Sequence, residues 1–249
     1  MNSLNAQPVV RLNKYLATAG LGSRRSVEKL IASGQVRVNG KSIKDPAFPI
    51  HPRADEILVQ GNPVVAEVVP TYILLNKPAG YVTTVRDEKG RSTIYKFIRT
   101  PEKVFPVGRL DKDSEGLLLL TNDGELAHRL THPRYKIEKT YFVLLQRSMN
   151  AEQEAKFRQG VRIDRRGVAR GRLSFPMPHN RKACLVTIRE GRNRQIRKMF
   201  AALKLRVVYL QRIQLGPIQL GKLRPGAWRY LTPKEVQSLK DMVGIANGN

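Results

Sequence analysis

Apolar residues at Leu12, Tyr15, Leu16 and Ala19 recur at the i, i+3, i+4, i+7 spacing of one helical face. Gly20 and Gly22 close that helix. Ser23 is placed to cap the next, whose apolar face is Val27, Leu30 and Ile31 and which Gly34 stops. Gln35 to Val38 alternates as a strand into Asn39-Gly40, a strong hairpin-turn signal, and Ile57 to Val59 gives another short strand. These elements outline a first domain over residues 9–69, with Pro63 to Pro70 reading as a linker.

A second domain, residues 70–243, is predicted to begin with a strand at Thr71 to Leu75. A turn at Asn76-Lys77-Pro78-Ala79-Gly80, a strand at Tyr81 to Thr84 and a polar loop at Arg86 to Arg91 come next. Strands at Val104 to Val107 and Gly116 to Leu120 flank a short loop, and Thr121 or Asn122 starts a helix toward Leu130. Ile137 to Gln146 reads as a long strand. Asn150 caps a helix that ends at Gly160, with Glu152 and Glu154 well placed in its first turn. Cys184 to Arg189, Val207 to Leu210 and Trp228 to Leu231 read as strands, and Ile196, Met199, Phe200 and Leu203 as a helical stripe. Thr232-Pro233-Lys234-Glu235 is a capping box that opens a C-terminal helix. Strands and helices that intermingle without strict alternation predict an α+β fold. It comprises a small N-terminal helix-hairpin domain, then a larger mixed or antiparallel sheet flanked by helices.

Charge changes the picture. The chain of 249 residues carries a formal net charge of +25. Residues 1–70 hold nine Lys/Arg against five Asp/Glu, whereas residues 158–229 hold nineteen against two. Such an excess points to a polyanionic partner, nucleic acid before membrane. No apolar run approaches the roughly 20 residues that span a bilayer, and Met1 to Val10 lacks a signal-peptide pattern. The single cysteine, Cys184, excludes an internal disulfide and any cysteine-based zinc site, and reads as a small core residue. A cytoplasmic monomer is expected.

Asp111 is the candidate nucleophile. It lies between Arg109 and Lys112 at the edge of an apolar run that must be buried. A carboxylate can attack a reacting centre and leave again, although Asp111 also reads as a turn residue. With Asp113 and Glu115 it forms an alternating acidic trio of the kind that holds magnesium, but no histidine-rich or further acidic cluster supports a metal. Tyr141, central in its strand, offers a face for stacking a base or a hydroxyl for moving a proton, or is an ordinary core aromatic. Arg192, Arg194, Arg197 and Lys198 gather where a helix begins, a place that attracts anions. Arg197, next to Ile196, sits at the edge of the buried face and calls for a carboxylate partner, with Asp111 the obvious one.

Two motif sets resemble known families. Arg11-Leu12-Asn13-Lys14-Tyr15-Leu16, Ser23-Arg24-Arg25 and Val36-Arg37-Val38-Asn39-Gly40-Lys41 resemble the RNA-binding domain named after the fourth small-subunit ribosomal protein. That resemblance implies RNA contacts by Arg11, Lys14, Arg24, Arg25, Arg37 and Lys41. Gly108-Arg109-Leu110-Asp111, the Tyr141 strand and the Arg192–Met199 stretch occur in the order used by the pseudouridine synthases. Asn76-Lys77-Pro78-Ala79-Gly80 and Leu210-Gln211-Arg212 also match. Thr121-Asn122-Asp123-Gly124-Glu125-Leu126-Ala127 and His132-Pro133 resemble the branch acting on large-subunit ribosomal RNA, motifs shared with the small-subunit branch. The resemblance implies a cofactor-free isomerase for ribosomal RNA. Asp111, Tyr141 and Arg197 would be catalytic, Leu210 would pack beneath the base, and Arg109, Lys77, Arg192 and Arg194 would bind substrate. Without that resemblance, composition fits a non-catalytic assembly factor equally well, and the acidic trio leaves a magnesium nuclease open.

Overall fold

Alternation along two central strands decides how the larger part of the chain folds. A computed structural model describes residues 9–65, 69–85, 87, 89–177 and 179–245. The chain divides into two units, one ending at Pro70 and the other beginning at Thr71. Most of Met1 to Val10 and parts of the expected linker and Arg86–Arg91 loop lie outside the described residues.

In the N-terminal unit, β1 (Val10–Arg11) leads into α1 (Leu12–Thr18) and α2 (Arg24–Ala32). The Ser23 hydroxyl caps α2 by accepting from the Ser26 amide. The strands β2 (Val36–Val38), β3 (Lys41–Ser42), β4 (Pro49–Ile50), β5 (Ile57–Val59) and β6 (Asn62–Pro63) complete it, with β3-β2-β5-β6 forming one antiparallel sheet. Asn39 and Gly40 both take positive φ, as the tight β2–β3 turn requires. Leu12, Leu16, Val27, Ile31 and Val36 are wholly buried in its core.

The second unit contains β7 (Tyr72–Lys77), β8 (Phe105–Pro106), β9 (Glu115–Thr121), α3 (Gly124–Thr131), β10 (Lys139–Leu145) and α4 (Ala151–Gln159). It continues through β11 (Val161–Asp164), β12 (Gly167–Ala169), β13 (Arg172–Ser174), β14 (Ala183–Ile188) and α5 (Gln195–Ala202). It closes with β15 (Val207–Leu215), β16 (Ile218–Gln219), β17 (Trp228–Tyr230) and α6 (Pro233–Met242). The main sheet runs β13-β14-β10-β15-β9-β7-β17. Every pairing along it is antiparallel except β15 with β9, which meet in parallel only at Gln211–Glu115 and Arg212–Gly116. Two antiparallel halves are thus joined at a short parallel seam.

Period-two alternation sends successive residues to opposite faces. Ile73, Leu75, Leu118 and Leu120 pack with Phe157 of α4 and Phe200 of α5. Leu74, Leu117 and Leu119 pack with Leu126 of α3 and Leu239 of α6. Burial on both faces explains the unbroken run of leucines in β9. Cys184 is fully buried in the first of these cores, and burial pushes its thiol up to about 12.

Several expectations need correction. Strand β7 continues through Asn76 and Lys77, which were read as a turn. Tyr81 to Thr84 forms no strand, only an isolated bridge from Val82 to Thr93. Pro63, read as linker, ends β6. The β11–β12 hairpin and β13 are additional elements, too short and too charged to show alternation in the sequence.

Candidate active site

Asp111 sits in the loop that enters β9 at the parallel seam, and three devices hold that loop. From beneath, the wholly buried Lys77 donates through Nζ to the carbonyls of Ser114 at 2.7 Å, Asp111 at 3.0 Å and Pro78 at 3.1 Å. Burial lowers Lys77 to about 8 against the pull of Glu115, Asp113 and Asp111. On one flank, the Thr83 hydroxyl donates to the Leu110 carbonyl at 2.9 Å and accepts from its amide at 3.3 Å. On the other, Asp113 receives both terminal nitrogens of Arg194 at 2.9 Å each and lies 3.3 Å from Arg197 Nε. Arg197 also donates to the Asp113 carbonyl at 2.9 Å and to Val207 at 3.1 Å, bridging loop, α5 and β15. The Arg194 hydrogen bonds hold the Asp113 carboxyl below its usual range.

The three acids of the loop therefore have different fates. Asp113 is occupied by two guanidiniums. Glu115 accepts from the Tyr209 hydroxyl at 3.1 Å. The Asp111 carboxylate, half-buried, has no hydrogen bond or ion pair among the described residues. The three acids form no metal-binding group there either.

Asp111 opens onto a cleft of about 780 Å³, within the usual range for small-molecule sites. Tyr141 from β10, Leu210 from β15, and Ile188 and Ile196 contribute to its wall, with Arg109 exposed at its lining. Strand pairing sets Tyr141 beside Arg212 and Val143 beside Leu210, so adjacent strands deliver Tyr141 and Leu210 to one cleft.

Four expectations for individual residues change. Arg197 pairs with Asp113 rather than with Asp111. Asp113 is the acid whose side chain and carbonyl both lie against α5. Lys77 is placed to hold the loop rather than to meet a ligand, because four backbone carbonyls occupy its ammonium in a fully buried position. Arg192 lines the cleft, but its guanidinium is spent on Glu190, Asp164 and the carbonyls of Gly167 and Val168. Arg194 also lines the cleft, with its terminal nitrogens on Asp113.

Sequence reasoning missed Thr83, the role of Asp113, and Ser114, whose buried hydroxyl has no partner among the described residues. The alternation of acids was the available signal for Asp113. In the N-terminal unit, Arg11, Arg24, Arg25, Arg37 and Lys41 are exposed and Lys14 half-buried. None of the six makes an ion pair among the described residues.

Residues 71–202, more than half of the chain, match the model of the RNA pseudouridylate synthase family, and residues 10–57 match the S4 domain. The chain belongs to the RNA pseudouridine synthase family. It is 41% identical to an uncharacterized RNA pseudouridine synthase of Aquifex aeolicus, covering 95% of this chain and 96% of that one. It is 40% identical to ribosomal large subunit pseudouridine synthase B of Bacillus subtilis, over 92% and 95% of the two chains. A solved pseudouridylate synthase superposes with a TM-score of 0.67 at 33% identity, covering 92% of this synthase and 99% of the other chain. This synthase is thus an isomerase with an N-terminal RNA-binding S4 domain. None of its helices among the described residues is long and apolar enough to cross a membrane.

Proposed function

We propose that this synthase converts a uridine of large-subunit ribosomal RNA to pseudouridine, with Asp111 as the nucleophile. The observation that carries the reading is the unpaired Asp111 carboxylate, the one acid of its loop left free, facing a cleft with Tyr141 and Leu210. The large-subunit target draws support from the 40% identity with the Bacillus subtilis enzyme.

The glycosidic bond of a stacked uridine is out of reach, so the nucleotide is flipped into the cleft. Tyr141 stacks on the base and Leu210 packs beneath it. Arg109 at the cleft lining and the exposed S4 cations meet phosphates. Asp111 then promotes cleavage of the bond from the sugar C1′ to N1. Attack on C1′, addition to the base ring, and removal of a sugar proton to give a glycal all begin from a carboxylate at this place. The base turns, C5 bonds to C1′, the C5 proton leaves to solvent and N1 gains a proton, so no net oxidant or reductant is needed. Arg197 acts by fixing the loop through Asp113.

The test uses large-subunit and, separately, small-subunit ribosomal RNA, each tritiated at uridine C5. Native protein should release tritium to water with the RNA intact, while Asp111→Asn binds within a few-fold and releases none. Turnover by Asp111→Asn would remove Asp111 from the role. Release from small-subunit RNA alone would overturn the target.

A further inference from the structure

The excess of arginine between residues 158 and 172 has no place in the cleft chemistry. Much of it stands on the β11–β12 hairpin, which pairs outside the main sheet. Its inner face carries Val161 and the fully buried Ala169, packed into the core with Phe200 of α5. Its outer face presents Arg162, Val168 and Arg170, and its turn presents Arg165 and Arg166, all exposed. The side chains of Arg162, Arg165 and Arg170 make no ion pair or hydrogen bond among the described residues. The only acid of the hairpin, Asp164, is shared between Arg166 at 3.4 Å and Arg192 at 3.3 Å.

Arg192 links this surface to the site. Its guanidinium, with only 13% of the side chain exposed, donates to the Gly167 and Val168 carbonyls of the hairpin, and the same residue lines the cleft. The arginine face is therefore fixed one side chain away from the wall where a flipped base would sit.

We propose that the β11–β12 hairpin is a phosphate grip, which holds the RNA backbone beside the modified uridine through Arg162, Arg165, Arg166 and Arg170. This rests on the reading that the cleft takes a uridine from RNA. Four guanidiniums on a two-stranded arm packed on the core through Val161 and Ala169, two on its outer face and two about 10 Å further along at the turn, suit a run of phosphates and carry no base-reading function of their own. The S4 unit then provides anchoring, and the hairpin provides alignment at the reacting nucleotide.

The test compares the native synthase with the quadruple variant Arg162→Gln, Arg165→Gln, Arg166→Gln, Arg170→Gln. A control, Lys234→Gln with Lys240→Gln, removes charge from α6. Circular dichroism checks that each is folded. Filter binding of a large-subunit ribosomal RNA transcript is measured across potassium chloride concentrations, with tritium release from the same RNA. Removing the grip should weaken binding at least tenfold and raise KM to match, with kcat within about twofold. The slope of log affinity against log salt should fall by roughly 2 to 3, and the control should behave as native. Native affinity and slope in the quadruple variant, or an equal loss in the α6 control, would overturn the proposal. Because binding is read separately from turnover, RNA that is bound but not isomerised by the native protein counts against the proposed reaction and leaves the test of the hairpin intact.

Discussion

The backbone at Gly116 runs so close to that of Arg212 that a methyl group on Gly116 would overlap the Arg212 carbonyl oxygen and come within 2.7 Å of its amide nitrogen. Gly116 and Arg212 are one of the two residue pairs that form the seam between β9 and β15. Gly116 also takes φ +101, where side chains are strained. Just beyond it, the buried Arg212 donates through Nε to the Leu117 carbonyl at 2.7 Å. Gly116→Ala should therefore cost about 3 kcal/mol or more in stability, and activity should fall with the folded fraction and beyond it. Urea denaturation beside turnover per folded molecule checks this. A variant as stable and active as native would show that the seam can open without consequence.

Lys77 gives a stability signature that depends on pH. Its amino group is lowered to about 8 in the folded protein by burial, against 10.5 as its ordinary value. Between those values the unfolded chain binds the proton and the folded one has released it, so the contribution of Lys77 to stability rises with pH. Relative to Lys77→Met, the native protein should gain roughly 1.5 kcal/mol between pH 8 and 9.5. Denaturant midpoints of both proteins at the two pH values provide the measurement, and a constant difference would mean that the buried ammonium keeps an ordinary affinity for its proton.

On the proposed reading, Asp113 positions the Asp111 loop through its contacts with Arg194 and Arg197. Asp113→Asn removes the carboxylate partner of Arg194 and of Arg197 and leaves Asp111, which already contributes electrostatically at Arg194, to attract that guanidinium. The expected result is a kcat at least tenfold lower with KM within about threefold, because the nucleophile becomes engaged while the cleft wall remains. Asp113→Glu should restore part of kcat. A kcat unchanged in Asp113→Asn contradicts the role.

Tyr141 separates ring from hydroxyl. It is 8% exposed, and its hydroxyl makes no hydrogen bond among the described residues. Stacking on a base is worth about 1–3 kcal/mol, so Tyr141→Leu should raise KM by roughly tenfold or more, whereas Tyr141→Phe should leave KM within threefold. A large loss of kcat in Tyr141→Phe would instead assign proton transfer to the hydroxyl.

Local features of the fold were legible where they satisfy local physics. Asn150 and Thr232 build capping boxes as their spacing requires, and the Ile196–Met199–Phe200 stripe turns inward. The Asp111 loop was legible because its residues are consecutive. Lys77 was misread because its burial depends on carbonyls supplied 34 to 37 residues later. The partner of Arg197 was misassigned because two carboxylates stand two positions apart in one loop, and only their directions distinguish them. The β11–β12 hairpin escaped because Val161–Asp164 and Gly167–Ala169 are too short for period two to emerge from a charged background.

The parallel seam also bears on how the enzyme comes into being. The bond from Arg212 to Leu117 closes 95 residues of chain, and contacts of such long range are entropically late in folding. The half β13-β14-β10-β15 can assemble from nearer neighbours, whereas β17 returns to β7 over a still longer span, with Trp228 beside Leu75, and Asp111 meets the Tyr141–Leu210 wall only once the seam has closed. On the proposed reading, a chain whose seam has not closed has no cleft in which Asp111 faces Tyr141 and Leu210, and so no isomerase activity.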